Sequence, residues 1–313
     1  MHLARPPALI AHCDWSVAAA KRWMAVAAPG PEGWILGAPE QVLDAGDLLD
    51  ELRLRAGGRG PVLVGFDFPI GLPRAYGATT GFRDFAHALA SFGQGEWRHW
   101  YQVAREPSDI SVRRPFFPFG RAVAGQQQHL LDALGLTRDD LLRRAERASG
   151  DQRAACALFW TAGANQVGKA AIAGWSQVIG PALARKDVGV WPFHGSFAEL
   201  LDTKAVVIAE TYPAEVYRWL GIRLQGRKTN IANLVPAAPK LAGWLRTRGV
   251  RASDALMSEI ETGFPGRASD DRFDAVVGAM GLLDVALNVR ADGAPLDDPE
   301  VERWEGWILG QLA

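Results

Sequence analysis

Five apolar runs along the chain predict the strands of a single β-sheet. They occupy residues 8–13, 22–27, 34–36, 61–66 and 205–209. The first three follow one another at short spacings, which is typical of an antiparallel meander. The fourth run is apolar on both of its faces, and this pattern indicates a buried strand in the middle of the sheet.

The segment between the fourth and fifth predicted strands is too long to be a plain loop. It contains helical patterns near residues 82–91, 126–134, 137–148 and 152–159. We therefore expect residues 1–72 to form the first part of a core, residues 73–204 to form a mostly helical insertion, and residues 205–313 to complete the core. In the last part, an apolar helix is predicted to start at Ser269, as its N-cap, and to run to about Val289.

Three of the predicted strands are followed by an acidic residue, namely Asp14, Asp67 and Glu210. A carboxylate at the end of an apolar run loses part of its hydration, and this costs free energy unless a cation or hydrogen-bond donors compensate. One such acid alone is commonly a turn residue or a partner in an ion pair. Three of them on strands of one sheet indicate a shared site.

Two more acids lie on the last predicted helix. Asp271 and Asp274 are three residues apart and therefore share a face of that helix. Gly278 and Gly281 continue the same face, and glycines there let a helix lie close to a sheet. An alternative for Asp271 is that it simply favours the positive end of the helix dipole, which explains Asp274 less well.

The five acids together predict a site for divalent cations. Carboxylate oxygens are the hard ligands that suit Mg²⁺ or Mn²⁺. Two cations about 4 Å apart can bind the attacking and leaving oxygens of a phosphodiester displacement, which needs no histidine or cysteine nucleophile. We therefore expect the five carboxylates to converge within about 8 Å.

The composition narrows the possible classes of protein. The formal net charge of −1 provides no general basic surface, so any nucleic-acid partner must be bound by local cations. Cys13 and Cys156 are the only cysteines, and they are too few and too distant for a disulfide framework or a zinc site. No apolar run is long enough for a membrane span and no amino-terminal signal is visible, so we expect a cytoplasmic protein without membrane contacts.

The ordered set of acids resembles the ribonuclease H-like nucleases, including the Holliday-junction resolvases. More closely, the chain is similar to the family of predicted nucleases called domain of unknown function 429. The matching blocks are residues 14–16, 64–71, 210–214, 227–229, 271–275 and 305–308. Each block is short, but together they cover nearly the whole chain in the same order.

The resemblance implies an α/β fold, in which a ribonuclease H-like mixed five-stranded sheet is flanked by helices and carries the insertion between its fourth and fifth strands. It also implies metal-dependent hydrolysis of nucleic acid. By motif match, the catalytic and metal-binding acids are Asp14, Asp67, Glu210, Asp271 and Asp274. No residue of the insertion receives a role in this way, and the oligomeric state stays open.

Three cationic residues are candidates for holding a substrate phosphate. Arg227 and Lys228 belong to one of the matching blocks, although they could equally be solvated surface residues. Lys169 ends a Gly-x-x-x-x-Gly-Lys pattern in residues 163–170, but Ala170 stands where a phosphate-binding loop needs serine or threonine. The pattern therefore favours a turn between helices, with Lys169 as an isolated point charge.

A cluster of arginines and phenylalanines in the insertion has two interpretations. Its members are Arg105, Arg113, Arg114, Phe116, Phe117, Phe119 and Arg121. Cations interleaved with aromatic rings suit single-stranded nucleic acid, through phosphate pairing and base stacking. The alternative, which the neighbouring prolines favour, is an aromatic plug that anchors the insertion to the sheet.

Two other functions remain open from the sequence. The actin-like and sugar-kinase phosphotransferases share the expected core fold, but they usually have glycine-rich turns after the first and fourth strands. Here Trp15 and Ser16 follow the first strand, and only Gly71 follows the fourth. A protein that binds nucleic acid without catalysis is the third possibility, against which the full set of five acids argues.

Overall fold

Eight strands form one mixed sheet in the computed structural model, which describes residues 5–121, 124–147, 156–163, 167–295 and 297–313. The strands are β1 (Leu9–Asp14), β2 (Trp23–Gly30), β3 (Gly33–Leu36), β4 (Glu40–Gln41), β5 (Val62–Phe66), β6 (Val188–Val190), β7 (Val206–Glu210) and β8 (Arg251–Ala252). Their order across the sheet is β6-β7-β5-β1-β2-β3-β8, and β4 pairs with β2.

The five predicted strands are all present, and the pairing follows their spacing. β1, β2 and β3 form an antiparallel meander, while β5 is parallel to β1 and β7 is parallel to β5. The described residues add three strands that were not predicted: β4, β6 and β8 have only two or three residues each, too few to show a period in the sequence.

Helices cover both faces of this sheet. They are α1 (Leu48–Ala56), α2 (Arg74–Thr79), α3 (Phe85–Ser91), α4 (Gln126–Leu134), α5 (Val167–Gly174), α6 (Gly180–Leu183), α7 (Phe197–Thr203), α8 (Pro213–Leu220), α9 (Ala238–Arg248), α10 (Asp254–Thr262) and α11 (Ser269–Ala286). The mixed α/β architecture is thus as predicted. Ser269 is the first residue of α11 and Ala268 is its N-cap, so the predicted capping by Ser269 is wrong.

Residues 73–204, the predicted insertion, contain helices α2 to α7 in their described part, and they also contribute β6 to the sheet beside β7. The helix predicted at residues 137–148 is wrong for the described part, where two short 3-10 turns flank Arg143. Arg143 has an extended backbone because its side chain and its N–H both bind Glu146. The helix predicted at residues 152–159 lies partly outside the described residues, and residues 156–159 are not helical.

The sheet separates two hydrophobic clusters, and each defines one face. The α11 face carries Ile10, Leu63 and Val207 and packs against α11. The insertion face carries the alternate strand residues and packs against aromatic residues of the insertion, such as Trp175. Residues of the first core part and of the insertion share this second cluster. Along each strand, side chains thus alternate between the α11 face and the insertion face.

Helix α11 lies directly on β1, as the glycines of its sequence predict. A Cβ atom at Gly278 would collide with the ring of His12, so only glycine allows this approach. Gly281 instead faces α8, where a Cβ would lie 2.6 Å from Val216 Cγ2. None of the helices in the described ranges is both long and apolar enough to cross a membrane.

Candidate functional site

Two aspartates lie side by side where β1 and β5 end. Cys13 pairs with Phe66 in the parallel ladder, so Asp14 and Asp67 follow at the same edge of the sheet, on the α11 face. Their carboxyl groups interact closely, and the charge of Asp67 raises the pKa of Asp14. The Trp15 backbone N–H donates to Asp67 Oδ1 at 2.7 Å and so orients this carboxyl group.

Helix α11 brings a third aspartate to this edge. Asp274 is only 8 % exposed, and its charge acts on Asp14 while the charge of Asp67 acts on Asp274. Asp274 Oδ1 is buried and has no hydrogen-bond partner among the described residues. We call Asp14, Asp67 and Asp274 the aspartate cluster.

Burial is the main cause of unusual ionisation in the aspartate cluster. It raises the pKa of Asp14 well above its ordinary value, and the charges of Asp67 and Asp274 raise this pKa further. Burial likewise raises the pKa of Asp274, with the charge of Asp67 as the second cause. Burial raises the pKa of Asp67 to about 6, although the Trp15 N–H opposes this effect. The three acids therefore resist simultaneous ionisation.

Asp271 lies at the rim of the aspartate cluster. Burial, followed by the charge of its neighbour Asp270, raises the pKa of Asp271, whereas Lys21 and Lys228 oppose this rise. The charge of Asp271 also contributes to the raised pKa of Asp14. Four of the five predicted acids thus lie close enough for their charges to interact. Asp14 and Asp274 are buried, whereas Asp67 and Asp271 are partly exposed.

Lys228 forms an ion pair with the aspartate cluster. Its Nζ contacts Asp274 Oδ2, and it also lies 5.6 Å from the centre of the Tyr217 ring. The side chain of Lys228 is 37 % exposed, so it reaches the cluster from the solvent side. One ammonium group neutralises at most one of the three carboxylates.

The structure does not bring Glu210 into the aspartate cluster. Glu210 pairs with Phe66 rather than with Asp67, so it points to the insertion face. There Arg143 donates from Nη2 to Glu210 Oε1 and from Nη1 to Oε2, each at 2.6 Å. The Ile70 N–H donates to Oε2 at 2.7 Å. The predicted convergence of five carboxylates is wrong at Glu210, because one residue along a strand reverses the face.

Glu210 belongs instead to a second buried charged group. This arginine-paired cluster consists of Arg143, Glu146, Glu210 and Glu305. Arg143 Nε donates to Glu146 Oε1, and its Nη1 donates to the backbone carbonyl of Glu305, both at 2.9 Å. Burial alone would lower the pKa of Arg143, but the charges of Glu146 and Glu210 outweigh it and raise that pKa. The cluster joins the insertion to both parts of the core.

The other predicted phosphate-binding residues lie outside the aspartate cluster. Arg227 is next to Lys228 but is exposed, and its carbonyl accepts a hydrogen bond from Asn233 Nδ2 at 2.9 Å. Lys169 is on α5 of the insertion and forms no ion pair with a described carboxylate. Residues 164–166 of the proposed phosphate-loop pattern lie outside the described residues, and Lys169 itself is helical.

The sequence did not identify two residues near the site, Thr211 and Tyr212, which follow the end of β7. Thr211 is buried, and its Oγ1 has no hydrogen-bond partner among the described residues. Tyr212 is partly exposed, and burial, followed by the charges of Glu215 and Asp274, raises the pKa of its hydroxyl. Both directly follow Glu210, and a shift of one residue in the assumed strand register would have identified Thr211.

The residues that could hold a divalent cation are the three of the aspartate cluster. Within the described ranges, no three carboxylate, imidazole or thiol groups already surround a common point as metal ligands do. The aspartates instead interact with one another and with Lys228. Two features nevertheless fit a cation: the donors are all hard oxygens, and Asp274 Oδ1 is buried without a partner. A positive charge there would favour ionisation of all three acids.

Comparisons of the chain with protein-family models, with curated proteins and with solved structures found no match. The chemistry of the aspartate cluster and the motifs of the sequence therefore carry the functional argument.

Proposed function

We propose that the protein hydrolyses phosphodiester bonds of nucleic acid, using Mg²⁺ or Mn²⁺ held by Asp14, Asp67 and Asp274. One observation carries this proposal: the three carboxyl groups lie close enough for their charges to interact, two of them are buried, and none is bound by an arginine of the described residues. Such an arrangement costs free energy in the absence of a cation. Groups with strongly perturbed pKa values of this kind are typical of functional sites.

The residues of the site have distinct tasks in this proposal. The aspartates supply the negative charge, the Trp15 N–H holds Asp67 in orientation, and Asp271 adds a carboxylate at the rim. Asp14, Asp67 and Asp274 would hold a divalent cation, which when bound would supply Lewis-acid chemistry for hydrolysis of the phosphodiester. The low solvent exposure of Asp14 and Asp274 strengthens their electrostatic interactions with the substrate.

Lys228 is the residue that we assign to the substrate phosphate. Its ammonium group lies at the entrance of the aspartate cluster, where a phosphate oxygen can replace Asp274 as its partner. Arg227 follows on the same exposed segment and can add a second contact. Because these are local cations in a chain of nearly zero net charge, they fit a partner that is bound close to the site.

The insertion provides a feature that fits a single strand. Phe116 and Phe117 are buried and form the expected plug, but Phe119 is 59 % exposed, with the Arg105 guanidinium 5.0 Å from its ring centre. An exposed aromatic ring stacked with an arginine can receive an unpaired base and its phosphate. This favours a substrate with single-stranded character.

The order of elements supports a ribonuclease H-like assignment, which we include in the proposal. The meander of β1, β2 and β3 is followed by β5 and β7, both running in the direction of β1. Acids lie at the ends of β1 and β5 and on α11, as the resemblance to the predicted nuclease family implies. The binding of Glu210 by Arg143 departs from that pattern.

The phosphotransferase alternative rested on Gly71, whose role here is packing. Gly71 has a φ of +139°, and a Cβ atom at this position would collide with the backbone carbonyl of Glu305. A close approach of two backbone segments therefore explains this glycine without a phosphate.

A cleavage assay tests the proposed function. Labelled single-stranded, duplex and branched nucleic acids are incubated with the protein and Mg²⁺ or Mn²⁺. We expect the Asp14→Asn, Asp274→Asn double variant to lose about 100-fold or more in rate, because a bound cation contributes several kcal/mol of charge stabilisation.

The matched control is Asp202→Asn, which removes an exposed acid on α7. We expect it to cleave at the wild-type rate. Both variants should unfold cooperatively as evidence of folding, and in EDTA the double variant should be at least as stable as the wild type. If neither cation supports cleavage above the level of the double variant on any substrate, the nuclease proposal fails.

A further inference from the structure

Strand register places Thr211, rather than Glu210, beside Asp67. Phe66 pairs with Glu210, and the Thr211 N–H donates to the Phe66 carbonyl at 2.8 Å, so the parallel ladder continues by one step. Asp67 and Thr211 are therefore neighbours on adjacent strands. The edge of the sheet presents Asp14, Asp67 and Thr211 in that order, from β1 through β5 to β7.

The side chain of Thr211 points to the α11 face. A Cβ atom at Gly65 would lie 2.7 Å from Thr211 Cγ2 and 2.9 Å from Leu282 Cδ1, so the threonine methyl group packs between β5 and α11. Asp274 is on the same helix as Leu282. Thr211 thus shares its face of the sheet with the aspartate cluster.

The hydroxyl group of Thr211 is an unexplained polar atom. The residue is 5 % exposed, and Oγ1 has no hydrogen-bond partner among the described residues. Buried hydroxyl groups are normally hydrogen-bonded, because an unsatisfied one destabilises the folded state. A valine would fill the same space without this cost, so packing alone does not explain threonine at this position.

We propose that Thr211 is a positioning residue of the cation site, an inference that rests on the proposed function. Thr211 Oγ1 has no hydrogen-bond partner within the described part of the chain; when Asp67 turns to bind the cation, the hydroxyl would donate a hydrogen bond to its carboxylate and so fix the orientation in which Asp67 binds. Groups that hydrogen-bond to metal-binding carboxylates tune both the geometry and the affinity of the site. β7 therefore contributes a neutral donor to the site, whereas its acid, Glu210, serves the opposite face.

Two substitutions separate the hydroxyl from the rest of the side chain. Thr211→Val keeps the shape and the contacts with Gly65 and Leu282, while Thr211→Ser keeps the hydroxyl and loses the methyl group. The binding of Mn²⁺ to the full chain is measured by isothermal titration calorimetry. Thermal unfolding of the same samples is recorded in the presence of EDTA.

We expect Thr211→Val to bind Mn²⁺ at least about tenfold more weakly than the wild type, the range typical for partners of metal ligands. Its unfolding temperature in EDTA should equal or exceed the wild-type value, because an unsatisfied buried hydroxyl is removed. Thr211→Ser should bind Mn²⁺ with nearly wild-type affinity. A merely structural threonine would give the opposite pattern, with lower stability and unchanged affinity for Mn²⁺.

Three results would overturn this inference. Wild-type affinity in Thr211→Val shows that the hydroxyl plays no part, while leaving the proposed function intact. Equal weakening in Thr211→Val and Thr211→Ser shows that any change of this side chain perturbs the site, so that the effect is not specific to the hydroxyl. Absence of Mn²⁺ binding in the wild-type protein contradicts the proposed function as well, and so separates the failure of that proposal from the failure of this inference.

Discussion

Two groups of charged residues lie at the same edge of the sheet, on opposite faces. They differ in how their buried charges are compensated. In the arginine-paired cluster, Arg143 donates to both oxygens of Glu210 and to Glu146. In the aspartate cluster, the acids face one another and only Lys228 pairs with them among the described residues. Each glutamate of the first group is therefore hydrogen-bonded to a guanidinium, since Arg74 binds Glu305, whereas the second group has one partly exposed ammonium group among the described residues.

This difference supports the proposal that the arginine-paired cluster is structural and that the aspartate cluster binds a cation. Burying an ion costs several kcal/mol unless close partners compensate, and the arginine-paired cluster has those partners. Its hydrogen bonds connect the insertion to Ile70 and to the backbone of Glu305, so it holds three segments together. The aspartate cluster has fewer such partners, namely the Trp15 N–H and Lys228, and its raised pKa values support the proposal that it binds a cation.

The largest effect on stability is expected from breaking the arginine-paired cluster. Arg143→Met leaves Glu146 and Glu210 buried without their cation, which should lower the free energy of unfolding by about 3–5 kcal/mol. Urea denaturation measures this loss. As a control, Arg113→Met removes an exposed ion pair with Glu96 and should cost less than about 1 kcal/mol. Similar losses of stability in the two variants would contradict a structural role for the arginine-paired cluster.

A smaller effect, of opposite sign, is expected from the aspartate cluster. The pKa of Asp67 is about 6 in the folded protein and about 3.9 when unfolded, so the folded state holds the proton more tightly. Wild-type stability should therefore fall relative to Asp67→Asn as the pH rises from about 4 to about 6, by on the order of 2–3 kcal/mol, and then level off.

Urea denaturation of both proteins in EDTA, at intervals between pH 4 and pH 7, measures this difference. Asp202→Asn, with its exposed acid, should follow the wild-type curve at every pH. If the wild-type and Asp67→Asn curves run parallel over this range, Asp67 is not the buried, hard-to-ionise acid described here.

The smallest effect concerns Lys228, the lone cation paired with the aspartate cluster in the described residues. A divalent cation must compete with this ammonium group for Asp274, and a partly exposed ion pair contributes about 0.4–1 kcal/mol. Lys228→Met should therefore raise the affinity for Mn²⁺ about two- to fivefold in a calorimetric titration. Arg223→Met, on the same exposed segment, should leave the affinity unchanged. Weaker binding of Mn²⁺ by Lys228→Met would show that Lys228 helps the site to bind the cation and does not compete with it.

Periodicity predicted the parts of the site that repeat a simple pattern. The runs before Asp14 and Asp67 end at the same edge because their strands are parallel neighbours. The spacing of Asp274 and Gly278 on α11 correctly placed one face of that helix against β1. These features depend on short segments of sequence, in which the alternation of side chains is visible.

The role of Glu210 could not be read from the same pattern. The ends of the predicted runs aligned Glu210 with Asp67, but β7 is shifted by one residue and aligns Thr211 there. The partner of Glu210 is Arg143, 67 residues away in an insertion whose path has no signal in the sequence. Register and distant ion pairs are set by tertiary packing, which local patterns do not contain.

The most direct test of the central claim is a calorimetric titration of Mn²⁺ into three folded proteins at neutral pH. The wild type should bind the cation, and the Asp14→Asn, Asp274→Asn double variant should bind it at least about tenfold more weakly. Asp298→Asn removes an acid that is already paired with Arg74 and Arg144, and it should bind like the wild type. Equal binding by the double variant, or no binding by the wild type, would contradict the assignment of the aspartate cluster as a cation site.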